Sequence, residues 1–170
     1  MTGVQTCALP ISGSVAEALD LLATLPLASS RSLTLCDPGA IACVEILDNQ
    51  LRVTAAGQPG QSPSTHTNHF LHPDFAPRDE LNIFARNSSL RRLRACDEGL
   101  AELTAGPAGA DVEEHFALLS RRAVCVADTG DIRRERTVAS VVMLPERGEL
   151  HVRPGDPNGA TTQTFKVPRP

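Results

Sequence analysis

Short turn segments join the apolar runs in the first third of this chain, and they leave few possible folds. Residues 32–36, 41–47 and 51–55 are strand-like, and residues 37–39 and 48–50 separate them with Asp, Pro, Gly and Asn. These residue types suit tight turns, and links of this length join antiparallel neighbours. The three runs therefore predict an antiparallel meander.

Helix signals lie on both sides of this meander. Residues 14–17 read Ser-Val-Ala-Glu, a capping box, and apolar residues then recur at helical spacing. Residues 87–89 are predicted to cap a second helix over 90–103, and the Gly- and Pro-containing residues 106–109 are predicted to end it. A second capping box at residues 111–114 predicts a shorter helix after it.

Four further runs have strand character. Residues 65–70 follow a Gly-, Pro- and Ser-rich loop, and residues 123–127 are apolar. Residues 137–144 and 149–152 flank a Pro-Glu-Arg-Gly turn and predict a closing hairpin. Because strands and helices fall in separate runs with short links, the sequence predicts an α+β fold with a mainly antiparallel sheet.

Composition narrows the possible partners. The 170 residues are 41% hydrophobic, which suffices for one buried core. A net charge of -4, with no Tyr and no Trp, provides neither a basic stripe nor a stacking platform, so nucleic acid is not an expected partner. The longest apolar stretch, residues 19–27, is broken by Thr24 and Pro26 and is too short to cross a membrane.

The cysteines predict a reducing, cytoplasmic location. There are five of them, an odd number with no CxxC pair, so neither a disulfide framework nor a zinc site is indicated. Each lies among apolar neighbours, as cysteines that pack as small hydrophobes do. No cofactor is expected from these residues.

The first twelve residues differ from the rest of the chain. They carry no charge and no periodicity, and they are too short and wrongly flanked for a signal peptide. They resemble the in-frame translation of a sequencing-library adapter. We therefore expect residues 1–12, with Cys7, to be an unstructured artefact, and residues 13–170 to be the carboxy-terminal portion of a single domain.

A polar block is the most chemically dense part of the chain. Residues 65–73 read Thr-His-Thr-Asn-His-Phe-Leu-His-Pro and hold three of the five histidines. A metal site is one interpretation, but in a strand His66 and His69 point to opposite faces, and the block itself contains no acidic or cysteine ligand. The other interpretation is a set of polar residues at a strand end, satisfied by backbone and water.

The block resembles a known family signature. Thr67-Asn68-His69-Phe70 is similar to the motif of the penicillin acyltransferase family, also called isopenicillin N acyltransferase-like. Three further stretches agree in order and spacing: the first helix with residues 27–30 and the hairpin, Ser88-Ser89 with Arg92, and residues 136–143 running to 154–157. The resemblance covers nearly everything after Gly13.

The resemblance implies a cysteine amino-terminal-nucleophile (Ntn) hydrolase, an αββα sandwich with mainly antiparallel sheets that frees its nucleophile by autoproteolysis. It implies that Asn68 donates to the oxyanion and that His69 and Phe70 contact substrate. The expected partners are a small amide, β-lactam-like or peptide-like substrate, an acyl-CoA donor, and a missing amino-terminal segment of the same protein. No metal or cofactor is implied.

The chain also departs from the family pattern. The family's cysteine and the acidic residue after it have no counterpart after Gly13, so the nucleophile is expected to be absent and the fragment inactive. The family's arginine beside the site has no match in residues 123–127, and whether Arg133 or Arg134 replaces it stays open. A non-catalytic binding or structural domain with the same fold is the alternative function.

Overall fold

A computed structural model of the protein describes residues 12–27, 29–58, 63–105 and 111–166. Three helices and six strands lie in this part of the chain. The strands form two separate antiparallel sheets of three strands, so the fold is α+β and its sheets agree with the predicted sandwich class. Cys7 and most of the adapter-like segment lie outside the described residues. The same is true of residues 59–62 of the predicted loop and of residues 106–109, which were expected to end the second helix.

The chain divides into two compact units, with the division between Ser89 and Leu90. The first unit contains helix α1 (Val15–Thr24) and strands β1 (Arg31–Cys36), β2 (Ile41–Leu47) and β3 (Gln50–Gly57). The division falls within helix α2 (Ile83–Thr104). The second unit contains helix α3 (Val112–Leu119) and strands β4 (Ala139–Leu144), β5 (Glu149–Pro154) and β6 (Gln163–Lys166).

The meander β1-β2-β3 confirms the turn prediction. Asp48 and Asn49 both have positive φ, which Asp and Asn tolerate better than most residues, and they link β2 to β3. Asp37 holds the other turn, because its Oδ1 accepts from the N–H of Gly39 at 2.6 Å and of Ala40 at 2.8 Å. Its Oδ2 also accepts from the N–H of Val15 at 2.7 Å, which ties the turn to the start of α1.

Strand β2 is buried on both faces, and the two faces differ in chemistry. One face packs under α1 in an apolar cluster of Val15, Ala42, Val44 and Ile46. The other face carries Glu45, which is completely buried. A charged side chain in such a place needs hydrogen-bonding partners, and the segment that follows β3 supplies them.

The second sheet packs on α3 through one of its faces. Val142 and His151 are buried and directly opposite each other in β4 and β5. Arg153 of β5 reaches α3, with its guanidinium 4.2 Å from the centre of the Phe116 ring and 2.5 Å from the Glu113 carboxyl. The predicted capping box of α3 is present, since Asp111 and Glu114 cap each other.

Three of the local predictions are wrong. Residues 65–70 are not a strand, and the N–H groups of residues 68–70 bond to side chains rather than to a neighbouring strand. Helix α2 begins at Ile83, seven residues before the predicted start at Leu90, with Asn82 as its cap. Residues 123–127 are not a strand: a turn precedes Cys125, where the N–H groups of Val124 and Cys125 both bond to the carbonyl of Arg121, and residues 126–127 are irregular.

Candidate active site

The polar block is an irregular segment laid across β2, and two buried side chains hold it. These are Glu45 on β2 and Ser89 on α2, both with no exposed surface. Neither was singled out from the sequence as a site residue. The signal for Glu45 was an acidic residue inside an apolar strand, and the signal for Ser89 was its place in the Ser88-Ser89 stretch that agrees with the family. Neither signal shows which distant residues the side chain contacts.

Glu45 fixes the two ends of the segment. Its Oε1 accepts from the N–H of Leu71 at 2.5 Å, and its Oε2 accepts from the N–H of His72 at 3.0 Å. The Nε2 of His66 lies 2.6 Å from the same Oε1. The acidic partner that the sequence did not place near the histidines is therefore brought to His66 by the fold. Hydrogen bonds to backbone N–H groups and to an imidazole make burial of the carboxyl tolerable.

Ser89 fixes the middle of the segment. Its Oγ accepts from the N–H of Asn68 at 2.9 Å and from the N–H of His69 at 3.2 Å. The same hydroxyl donates to Thr67 Oγ1 at 2.9 Å, and Thr67 Oγ1 donates back to the carbonyl of Ser89 at 3.1 Å. The Nδ1 of His69 lies 2.8 Å from Ser89 Oγ. The backbone on both sides of Asn68 is thus tied to one atom of a helix.

His69 is part of this network rather than of the surface. It is only 5% exposed, and Nδ1 faces the hydroxyls of Ser89 and Thr67. Burial lowers the pKa of His69, the negative charge of Asp79 raises it to a smaller extent, and the nearby His66 and Arg86 add to the lowering. The imidazole is therefore mostly neutral at pH 7.

Asn68 itself is exposed while its neighbour is buried. Phe70 is half-buried, and its ring meets the fully buried Phe75 edge to face with centroids 5.6 Å apart. The N–H of Phe70 donates to Asp79 Oδ2 at 3.2 Å. An amide side chain at the surface on a rigid backbone is an arrangement that can present an N–H donor to a reacting group.

The four cysteines in the described part of the chain are free thiols. Burial raises the pKa of Cys96, with a smaller contribution from Asp97, which disfavours the thiolate. Cys43 and Cys125 are buried. Among the described residues, no cluster of three or more His, Cys, Asp or Glu side chains is arranged to hold a metal ion.

Arg133 and Arg134 lie in the second unit, on an exposed turn where the N–H of Arg134 bonds to the carbonyl of Asp131. Arg136 follows them and contributes, with Asp128 and Thr137, to a surface cavity of about 530 Å³. The guanidinium of Arg136 lies 3.5 Å from the Asp128 carboxylate.

Comparison with known families identifies the family of this chain. A family model described as acyl-coenzyme A:6-aminopenicillanic acid acyl-transferase matches residues 7–158. The chain belongs to this family. The match spans most of the chain, contains the whole polar block, and begins at Cys7 inside the adapter-like segment. No curated protein matches the chain.

Membership in the acyltransferase family agrees with the resemblance seen in the motif at residues 67–70. The family description names an acyl-CoA and a small amine, so small-molecule partners are expected of its members. None of the helices in the described part of the chain has both the length and the apolar character needed to cross a membrane.

Proposed function

We propose that this chain carries the oxyanion-binding part of an autoprocessed cysteine Ntn amidohydrolase or acyltransferase. Its substrates would be small amides, β-lactam-like compounds or peptide-like compounds, and an acyl-CoA would serve as donor where the reaction is transfer. The observation that carries the proposal is Asn68, an exposed amide on a backbone held at both sides by buried Ser89. Family membership supports the acyl-transfer chemistry.

In this mechanism a cysteine thiolate attacks the carbonyl carbon of an amide or thioester, and the carbonyl oxygen becomes an oxyanion. The side-chain N–H of Asn68 donates to that oxyanion and lowers the energy of the tetrahedral intermediate. The free α-amino group of the same cysteine, whose unperturbed pKa is about 7.7 to 8.0, takes the proton of the thiol and passes it to the leaving amine or thiol as the scissile C–N or C–S bond breaks. The acyl group stays on the cysteine as a thioester until water, in hydrolysis, or an amine, in transfer, displaces the cysteine. The neutral His69 is not needed for proton transfer.

The nucleophile is proposed to come from a segment of the same protein that precedes Gly13 in the uninterrupted gene. Cys7 is not proposed for this role, because the residues around it read as translated adapter. Sequencing the genomic locus tests this step. A cysteine preceded by a processing site upstream of Gly13 is the expected result, whereas an uninterrupted frame without one would favour a non-catalytic domain with the same fold.

The role of Asn68 is tested in the protein expressed from the uninterrupted gene. We expect Asn68→Ala to lower kcat by about 10²- to 10³-fold with a much smaller change in KM, because the lost donor acts on charge that develops in the transition state. Asn87→Ala is the matched control, since Asn87 is exposed and lies on α2.

Processing is followed by gel, because cleavage of the precursor passes through a similar oxyanion. Rates are then compared for processed protein alone. A processed Asn68→Ala enzyme with the kcat of the parent would disprove the oxyanion role. A rise in KM alone would assign Asn68 to substrate binding instead.

A further inference from the structure

We infer that Ser89 is a positioning residue that sets the direction of the Asn68 side chain, an inference that rests on the catalytic role proposed for Asn68. Ser89 lies inside helix α2, where a serine commonly points to water or bonds to the carbonyl one turn back. Its hydroxyl instead bonds to a segment that lies 20 to 22 residues earlier in the chain.

The contacts of Ser89 bracket the Cα of Asn68. One of the two peptide groups beside that Cα contributes the N–H of Asn68, and the other contributes the N–H of His69. Both donate to the same oxygen, at 2.9 and 3.2 Å. With both flanking peptide planes fixed, the Cα–Cβ bond of Asn68 has a fixed direction. The amide of Asn68 is then already in position when negative charge develops on the reacting oxygen, so no reorganisation is needed.

The hydrogen-bonding capacity of Ser89 is fully used in this arrangement. A hydroxyl has one proton and two lone pairs, and Ser89 Oγ has four polar neighbours, which are the two N–H groups, Thr67 Oγ1 and His69 Nδ1. The proton goes to Thr67 Oγ1 at 2.9 Å, and Thr67 returns a hydrogen bond to the Ser89 carbonyl. A side chain without an oxygen at this position leaves the N–H of His69, which is buried, without its acceptor.

Glu45 provides an internal reference for this role. It holds the N–H groups of Leu71 and His72, and so fixes the course of the segment after Asn68. Loss of the Ser89 hydroxyl should therefore loosen Asn68 and His69 while Leu71 and His72 stay in place. A general loss of stability would affect all four residues.

The first measurement is amide hydrogen exchange on the chain itself, with Ser89→Ala and the neighbouring Ser88→Ala as a matched control. We expect exchange at Asn68 and His69 to speed up by about tenfold or more in Ser89→Ala, with Leu71 and His72 within about twofold of the parent. Ser88→Ala should leave all four unchanged. Equal acceleration at all four amides, or none at Asn68 and His69, would overturn the inference.

The second measurement is a double-mutant cycle in the enzyme from the uninterrupted gene. Displacement of a catalytic group by about 1 Å can cost about 10²-fold in rate, so Ser89→Ala should lower kcat by about 10- to 100-fold with KM within about threefold. In the Asn68→Ala background, Ser89→Ala should have little further effect on kcat, because it acts through Asn68. Additive losses would overturn the inference.

Two features keep the test decisive. If Ser89→Ala does not fold, Ser89→Cys replaces it, because this variant keeps nearly the same size with a weaker acceptor. Amide exchange should again speed up more at Asn68 and His69 than at Leu71 and His72. Failure of the proposed function is recognised separately, because Asn68→Ala alone would then leave kcat unchanged. The exchange measurement does not depend on activity and would still report whether Ser89 orients Asn68.

Discussion

Burial of His69 connects the structure of the polar block to its chemistry. The ring is 5% exposed, with Nδ1 facing two hydroxyls. An imidazole in this position supports the Asn68 backbone and has little contact with water, so it suits a structural role better than proton transfer. The family resemblance implies that His69 and Phe70 contact substrate, and this stays a prediction.

The titration of His69 follows from its burial. The folded pKa lies below the unfolded value of about 6.5, mainly because burial disfavours the charged ring. Between these two pKa values the unfolded chain binds more protons than the folded chain. The contribution of His69 to the free energy of unfolding is therefore complete above about pH 6.5 and is lost as pH falls through the folded pKa. NMR should show a midpoint for the His69 ring below 6.5. A midpoint at or above 6.5 would contradict this assignment.

The sequence identifies only part of the site. Asn68 is found because it stands in a recognisable motif, and its neighbours in the motif come with it. Glu45 is not found, and Ser89 is found only as part of a stretch that resembles the family, because each is tied to the motif by contacts over more than 19 residues that no local pattern encodes. Long-range partners of buried polar groups are therefore what sequence reasoning misses here.

The same explanation holds at the scale of elements. The strands of the meander and the final hairpin are predicted nearly to the residue, because alternation and turn chemistry act locally. Residues 65–70 are not a strand, because the side chains of Ser89 and Asp79 accept from the N–H groups of residues 68–70. Strand β6 is missed because it is short and exposed and is defined by its pairing with β5.

The start of α2 shows two competing caps. Asn82 Oδ1 accepts from the N–H of Phe84 and of Ala85, both at 3.0 Å, whereas the predicted cap at Asn87 lies inside the helix. We expect Asn82→Ala to lower the free energy of unfolding by about 0.5–2 kcal/mol, while Asn87→Ala changes it by about 0.5 kcal/mol or less. Urea unfolding measures both. A larger loss of stability in Asn87→Ala than in Asn82→Ala would indicate that helix α2 begins at the later, predicted position.

The second unit has its own anchor at Arg153. Its guanidinium contacts Glu113 at 2.5 and 2.6 Å, Thr162 Oγ1 at 2.8 Å and the carbonyl of Pro157 at 3.1 Å, and it also lies over Phe116. Arg153→Lys keeps the charge and loses the fork of donors. We expect it to lower the free energy of unfolding by about 1–3 kcal/mol. The exposed Arg91→Lys is the control in the same denaturation experiment, and equal stability of the two variants would contradict the anchor role.

At the scale of the whole molecule, the two sheets differ in how their faces are covered. Strand β2 is buried on both faces, whereas β4 alternates between buried and exposed residues. The exposed residues of β4 are apolar: Val141 and Met143 are each 39% exposed, and Phe165 on β6 is 50% exposed. Val141 pairs with Val152, Met143 with Leu150, and Leu150 with Phe165, so all of them share the face opposite to that of Val142 and His151.

This apolar sheet face predicts how the chain behaves alone. Contiguous exposed apolar surface is a site of association or dye binding. The combination of Val141→Thr and Phe165→Thr breaks this surface, and Thr, which is β-branched, suits a strand at both positions. We expect the double variant to lower the fluorescence of a bound hydrophobic dye by about twofold or more and to aggregate less. Its free energy of unfolding should stay within about 1 kcal/mol of the parent, since both positions are exposed. Phe84→Gln is the control, because Phe84 is 83% exposed but lies on helix α2, which is not part of this sheet. If removing Phe84 reduces dye binding as much as breaking the sheet face, the dye reports scattered exposed side chains and the face has no special role. If the double variant binds dye like the parent, the face is not the surface that drives association.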